Sequence, residues 1–251
     1  MTAPLSDEPV RLARRVAELT GCSRREAELY VEGGWVEVDG QVVEEPQHRV
    51  AAETVTLRSG ARPDPLPPVT LLWHRPDAGA PCDPAALRGS APSLPAGAPP
   101  VRVLRRHFLQ QQALAPLAGL ATGLVVFTQD GRIARRLTED AATLEQELMV
   151  ELPGQVPDAT IEPLAHRLLQ DPACRLWPQL PVIGKLSLNA RGPQGTRLRV
   201  ALKGSDAERV LALCASAGLK PLALRRTRLG RVALAGLAPG AWRFMGPHER
   251  F

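Results

Sequence analysis

Arginine is the residue type in this chain with the clearest capacity to bind a partner. Of the 31 basic residues only Lys185, Lys203 and Lys220 are lysines, and the formal net charge is +5 with a pI of about 9.5. A guanidinium pairs with phosphate through two parallel hydrogen bonds, so many arginines favour a polyanionic partner. A genome rich in G and C would also raise the arginine content, so composition alone leaves both explanations open.

Four of these arginines fall on two predicted helices near the N-terminus. The segment VRLARRVAELT, from Val10 to Thr20, has apolar residues at helical spacing with basic residues between them. Ser23 and Glu26 form a capping-box pattern, which predicts a second helix over 24–32 that ends at a glycine pair. These helices carry Arg14, Arg15, Arg24 and Arg25, which are candidates for binding a nucleic acid.

General catalytic signatures are missing from the sequence. It has no GxSxG or HExxH motif and no paired-carboxylate motif, and we expect neither a metal site nor a cofactor. The Asp130-Gly131 pair predicts a turn rather than a catalytic group. The cysteines have no CxxC spacing, which favours buried packing in a reducing compartment: Cys22, Cys82, Cys174 and Cys214.

Changes in amino-acid composition along the chain predict two domains and a linker. Helix, helix and a hairpin around Asp39-Gly40 form a module over 10–60. Eleven of the 25 prolines fall in 61–100, which predicts a Pro-rich linker with one strand at 69–73. No run of 18 apolar residues and no signal peptide are evident, so we expect a cytoplasmic protein without a membrane partner.

The remaining residues, 101–251, predict an α+β domain. Strands outnumber helices and connect in mixed order, which indicates one mostly antiparallel sheet with the helix 206–217 on it. Residues 78–100 are expected to be irregular and mobile. The strands that should share this sheet are 69–73, 123–127, 148–152, 186–190, 196–202 and 222–234.

Two families are similar to this sequence at specific motifs. CSRREAELYVEGGWVEVDG resembles the S-four RNA-binding domain, which places an arginine-bearing helix and a hairpin against structured RNA. The rest is similar to bacterial RNA pseudouridine synthases of the ribosomal RNA branch. The stretches that carry this second likeness are the His74-Arg75-Pro76 turn, GLVVFTQDGRIARRL, LEQELMVEL and LRRTRLGRVALAGLAPGAWRFM.

The resemblance implies that the catalytic positions are changed. The family places its nucleophilic aspartate in Gly-Arg-Leu-Asp, five residues before the glycine that corresponds to Gly123. That position holds Ala118 here, and the arginine position holds Pro116. The family's base-stacking tyrosine falls at Leu148, and the late basic loop reads GSDAERVLAL, without most of its cations. Because alanine can neither attack uridine nor accept a proton, isomerase activity is expected to be lost.

Three hypotheses from different classes follow. We favour an RNA-binding protein, a monomer acting on structured and specifically ribosomal RNA, with a disabled synthase scaffold. The second is an active uridine isomerase with a relocated carboxylate, for which Asp77 is the fallback candidate. The third is a protein-interaction module that no longer binds RNA. Under the favoured hypothesis, the pocket that corresponds to the family's active site is expected to be lined by Pro116, Leu117, Ala118 and Leu148, with no carboxylate at its centre.

Overall fold

A computed structural model describes residues 8–94, 101–117 and 119–251. Ala118 and part of the predicted linker, 95–100, therefore lie outside the described residues. The described chain divides into two units. The first unit comprises 8–68 and 101–109, and the second comprises 69–94, 110–117 and 119–251.

The first unit is built from two short helices and short strands. Its helix α2 begins with a complete capping box, since Ser23 Oγ accepts from the backbone N–H of Glu26 and the Glu26 carboxylate accepts from the backbone N–H of Ser23. Its hairpin turns at Asp39 and Gly40, with φ of 49° and 78°. The elements are β1 (Val10–Arg11), α1 (Leu12–Thr20), α2 (Arg24–Glu32), β2 (Val36–Val38), β3 (Gln41–Val42), β4 (Arg49–Val50) and β5 (Val55–Leu57).

The later segment 101–109 packs on the first unit, which the sequence did not predict. The Arg102 guanidinium carbon lies 4.3 Å from the centroid of the Trp35 ring, a cation–π contact. Arg106 forms an ion pair with Glu32 at 3.3 Å, and Leu104 is buried. The chain therefore leaves this unit after residue 68 and returns to it before the second unit is complete.

The second unit contains a nine-stranded sheet among the described residues. Its order is β10-β11-β9-β12-β8-β6-β14, with β13 paired to β12 and β7 paired to β8. The strands are β6 (Thr70–Arg75), β7 (Gln112–Leu114), β8 (Ala121–Thr128), β9 (Gln146–Leu152), β10 (Ile183–Gly192), β11 (Gly195–Lys203), β12 (Ala223–Leu229), β13 (Val232–Ala233) and β14 (Trp242–Phe244). The helices are α3 (Gly131–Thr138), α4 (Asp158–Gln170) and α5 (Ala207–Ser216).

The predicted α+β class with a mostly antiparallel sheet is confirmed. Only the pairing of β12 with β8 is parallel among the described strands, and it aligns Arg226 with Gly123. The predicted segment 222–234 lies in this sheet, and a turn at Gly230 divides it into β12 and β13. No helix in the described ranges is long and apolar enough to cross a membrane.

Part of the proline-rich stretch is packed against the sheet. Residues Pro84–Gly89 form a 3-10 helix whose Leu87 side chain is buried. The next residue, Ser90, accepts a hydrogen bond from Trp242 Nε1 at 3.0 Å through its hydroxyl. The expectation of an irregular segment over 78–100 is therefore corrected at 84–90, because these residues form a 3-10 helix with a buried leucine, and the serine after it is bonded to β14.

Gly123 permits the close approach of β8 and β12, and this is testable by substitution. Its φ is +97°, and an added Cβ would collide with the backbone carbonyl of Arg226 and lie 2.8 Å from the Arg226 backbone nitrogen. We expect Gly123→Ala to lower the free energy of unfolding by at least about 2 kcal/mol in urea titrations.

Gly131→Ala is the matched control for this substitution. Gly131 is the first residue of α3, and a Cβ there meets open space. Its unfolding free energy should stay unchanged or rise by up to about 1 kcal/mol. Equal losses in the two variants would show that the β8–β12 approach does not limit stability.

Candidate functional site

Two buried arginines hold the loop that connects β7 to β8. Arg75, at the end of β6, donates from Nη1 to the carbonyl of Leu117 at 2.8 Å and to that of Ala121 at 3.4 Å. It also donates from Nε to the carbonyl of Ala80 at 3.1 Å and from Nη2 to that of Ala78. One guanidinium thus joins this loop to the turn after β6.

Arg226 holds the same loop from β12. Its Nε donates to the carbonyl of Leu124 at 2.9 Å, and its Nη2 donates to the carbonyls of Leu124 and Ala115 at 2.5 and 2.6 Å. The residue is only 3% exposed, and burial lowers the pKa of Arg226 to about 10. No carboxylate in the described part of the chain lies within ion-pair distance of either arginine, so backbone carbonyls alone accept their hydrogen bonds.

A cavity of about 280 Å³ opens beside Arg226. Its wall is largely apolar, with Leu137, Leu144 and Leu229 among its residues. Polar groups reach it from β9 and from the start of α5, namely Gln146 and Ser205. Apolar walls around a few convergent polar groups are typical of small-ligand sites, although this volume is at their lower limit of roughly 300 Å³.

The predicted site residues differ in whether they line this cavity. Pro116 lines the cavity as expected. Leu117 and Leu148 are buried, and neither is part of this wall. In β9 the residue at the wall is Gln146, two positions before Leu148 and on the same face of the strand.

The fallback carboxylate Asp77 does not line this cavity. It is exposed, and its Oδ1 accepts from the backbone N–H of Gly79 at 2.8 Å. The carboxylates at the cavity are Asp206 and Glu208. Asp206 caps α5 by accepting from the N–H of Arg209 at 2.9 Å, a pattern that the sequence before α5 could have revealed.

Three of the four candidate RNA-binding arginines are exposed. The Arg14 side chain is 70% exposed and pairs with Glu18 at 2.8 Å. Arg24 and Arg25 are 72% and 68% exposed and share one carboxylate, Glu28, at 3.3 and 3.9 Å. Both guanidiniums are open to solvent at the start of α2, where the Glu26 carboxylate of the capping box also lies.

Unlike these three arginines, Arg15 is buried, so its assignment as an RNA-binding residue is corrected. It is 8% exposed, and its Nη2 donates to the carbonyl of Ala51 at 3.2 Å. Its guanidinium is thus part of the packing between α1 and the residues after β4. Arg15 has no exposed charge to offer to a phosphate.

A groove of about 420 Å³ on the first unit gathers further cations that the sequence did not single out. Arg11 and Arg49 line it together with Arg14 and Arg24. Because β1 pairs with β4, Arg11 and Arg49 stand opposite each other in the register. The sequence does not reveal that Arg11 and Arg49 lie together, because the β1–β4 pairing joins residues almost 40 positions apart.

The buried cysteines and the turn aspartate have structural roles. Cys174 and Cys214 are buried free thiols, as predicted, and burial raises the pKa of Cys214 to about 11. The prediction of buried packing is wrong for Cys82, which is exposed, and Cys22 is only half-buried. Asp130 caps α3 by accepting from the N–H of Arg132 at 2.8 Å. Within the ranges that the structure describes, no three His, Cys, Asp or Glu side chains are grouped to hold a metal ion.

Comparison with known proteins agrees with both parts of this architecture. Residues 10–55 match the S4 domain family. Over 96% of the chain, the sequence is 25% identical to an uncharacterized RNA pseudouridine synthase of Aquifex aeolicus, covering 94% of that protein. It is 28% identical to ribosomal small subunit pseudouridine synthase A of Pseudomonas aeruginosa, with 96% of this chain and 98% of that one covered.

A solved structure shows the same fold. A crystal structure of a pseudouridylate synthase superposes with a TM-score of 0.51 at 18% identity, over 94% of this chain and 96% of the other. The molecule is therefore an S4 domain joined to a unit with the fold of a pseudouridine synthase. Its sequence is similar to RNA pseudouridine synthases along nearly the whole chain.

The hold of Arg75 on the β7–β8 loop is testable by replacing its guanidinium. Arg75→Met removes the donor from four backbone carbonyls while keeping an unbranched side chain. We expect the free energy of unfolding in urea to fall by about 3 kcal/mol, because buried carbonyls lose their partner. The control Arg135→Met, at a side chain that is 74% exposed, should change it by less than about 0.5 kcal/mol.

Proposed function

We propose that this protein binds structured RNA, specifically ribosomal RNA, and does not isomerise uridine. The observation that carries the proposal is the residue at the family's nucleophile position, Ala118. A covalent attack on uridine requires a carboxylate there, and alanine has no group that can form the bond. The proposal includes a cytoplasmic monomer that needs no cofactor and has no membrane partner.

Recognition of RNA is supported first by the S4 domain. Arg24 and Arg25 are highly exposed at the start of α2, so their guanidiniums can donate to phosphate groups. Arg14 is matched one to one by Glu18 and should contribute less. Ribosomal RNA is the proposed class because the Pseudomonas aeruginosa relative is named for the small ribosomal subunit.

The role of Arg24 and Arg25 predicts a change in salt dependence. The double variant Arg24→Ala/Arg25→Ala should bind a ribosomal RNA fragment more weakly. The slope of log K against log salt should become shallower by about one unit for each lost phosphate contact. Fluorescence anisotropy over a salt series measures both quantities.

A double variant with the same loss of charge provides the control. Arg132 and Arg135 are also highly exposed, at 90% and 74%, but lie on α3 in the second unit. Arg132→Ala/Arg135→Ala should leave the slope closer to that of the unchanged protein. Equal slopes in the two double variants would remove the S4 surface from the proposal. Absence of RNA binding by the unchanged protein would favour a protein-interaction module.

The loss of isomerase activity predicts a negative result against a working reference. Purified protein should form no pseudouridine in unmodified small- or large-subunit ribosomal RNA, mapped by carbodiimide labelling and reverse transcription. The Pseudomonas aeruginosa relative is the reference under the same conditions. Ala118→Asp alone should not create activity, because Pro116 and Leu148 also depart from the family pattern.

Conversion of even one uridine by the unchanged protein would contradict this proposal and favour a relocated carboxylate. Asp77→Ala would then test the residue chosen from the sequence. Asp206→Asn and Glu208→Gln would test the two carboxylates at the cavity. Loss of conversion in one of these variants would identify the group responsible.

A further inference from the structure

Arg226 retains hydrogen-bonding capacity that the fold does not use. A guanidinium has five N–H donors, and the one on Nε and the two on Nη2 point to the carbonyls of Leu124 and Ala115. The two donors on Nη1 have no hydrogen-bond partner among the described residues. Arg226 lines the cavity, so the side chain with unused donors lies at a site that a ligand can enter.

The charge of Arg226 is also uncompensated. The residue is 3% exposed, and the hydrogen bonds that it makes with described residues go to uncharged backbone carbonyls. A buried cation without an anion costs several kcal/mol, and an opposite charge beside it reduces that cost. A bound anion would therefore stabilise the folded protein.

Ser205 provides a second, independent observation at the same cavity. It is 3% exposed and lines the wall, and its Oγ has no hydrogen-bond partner in the part of the chain that the structure describes. Buried hydroxyl groups normally have partners, so an unpartnered one beside a cavity indicates a group that is supplied from outside. Its backbone carbonyl is already used, because it accepts from Gln146 Nε2 at 2.6 Å.

The two carboxylates at the cavity do not prevent an anion from binding. Asp206 is paired with Arg209 at 2.7 Å, which neutralises its charge. Glu208 is exposed to solvent, where salt screens its charge. The rest of the wall includes Leu137, Leu144 and Leu229, which favour a compact apolar body.

We propose that this cavity binds a small molecule with one carboxylate or phosphate group and a compact apolar body. The anionic group accepts from Arg226 Nη1 and Ser205 Oγ, while the apolar part lies against the leucines. The proposal does not depend on RNA binding by the S4 domain or on the activity towards uridine, so each can fail separately.

Benzoate, phenyl phosphate and benzamide are suitable probes of the full-length protein. Benzoate and benzamide have the same size and ring but differ in charge. Titrations at constant ionic strength, followed by calorimetry and thermal unfolding, should show benzoate or phenyl phosphate binding at least about tenfold more tightly than benzamide. Equal affinities for the charged and neutral probes, or no binding of either anion up to about 20 mM, would overturn the proposal.

Two variants locate the binding in this cavity. Ser205→Ala removes an unpartnered hydroxyl, so it should leave unfolding unchanged while weakening the anionic probe by roughly tenfold. Ala141→Leu extends a wall residue into the cavity and should abolish binding. Ser187→Ala, on the edge strand β10, is the control and should bind as the unchanged protein does. If Ser205→Ala and Ser187→Ala bind alike, the cavity is not the site.

Competition with RNA distinguishes the source of the anion. If the natural ligand is a free small molecule, a saturating concentration of a ribosomal RNA fragment should leave benzoate binding unchanged. Displacement of benzoate by RNA, lost in Ser205→Ala, would assign the cavity to an RNA phosphate and overturn the small-molecule proposal.

Discussion

The second unit depends on two guanidinium groups that donate to the backbone of one loop. Arg75 and Arg226 approach the β7–β8 loop from β6 and β12, and both are almost fully buried. The β7–β8 loop is too short to provide hydrogen-bond donors for its own buried carbonyls, and an unpaired buried carbonyl is costly. The arginines provide those donors and connect the loop to strands on both sides of β8.

This arrangement requires unusually close backbones at one point. Arg226 aligns with Gly123 in the parallel pairing of β12 and β8, and a side chain at Gly123 would collide with the backbone of Arg226. The glycine at the start of the apolar stretch therefore has a structural reason: its lack of a Cβ lets the Arg226 side chain reach the carbonyls of Leu124 and Ala115. The same geometry places Arg226 at the cavity wall.

Local signals in the sequence predicted local structure well. Ser23 with Glu26, and Asp39 with Gly40, each act within four residues, and the structure contains the capping box and the hairpin turn. The apolar stretch at β8 and the amphipathic α5 likewise predicted the sheet and the helix on it. Such features depend on neighbours in the chain, which a sequence displays directly.

Predictions that depended on distant partners were less successful. Arg15 has the same type and helical context as Arg14, and only the carbonyl of Ala51, 36 residues away, makes it a buried side chain. Arg102 joins the first unit through Trp35, a contact across almost 70 positions. The cavity wall includes Gln146 rather than Leu148 because the position along β9, and not the face of the strand, decides which residue reaches it. No pattern of residue types specifies these distances.

The dependence of the loop on backbone carbonyls also explains how this fold can exist without an aspartate at position 118. A carboxylate that accepted hydrogen bonds from Arg75 or Arg226 could be lost by substitution, and the buried cations would then lack acceptors. Carbonyls of Leu117, Ala121, Leu124 and Ala115 cannot be lost in this way, because every residue type has one. These hydrogen bonds therefore do not require a carboxylate in the loop. The backbone carbonyls do not neutralise the positive charge of Arg226, because a carbonyl has no net charge. That charge remains to be balanced by a group from outside the chain.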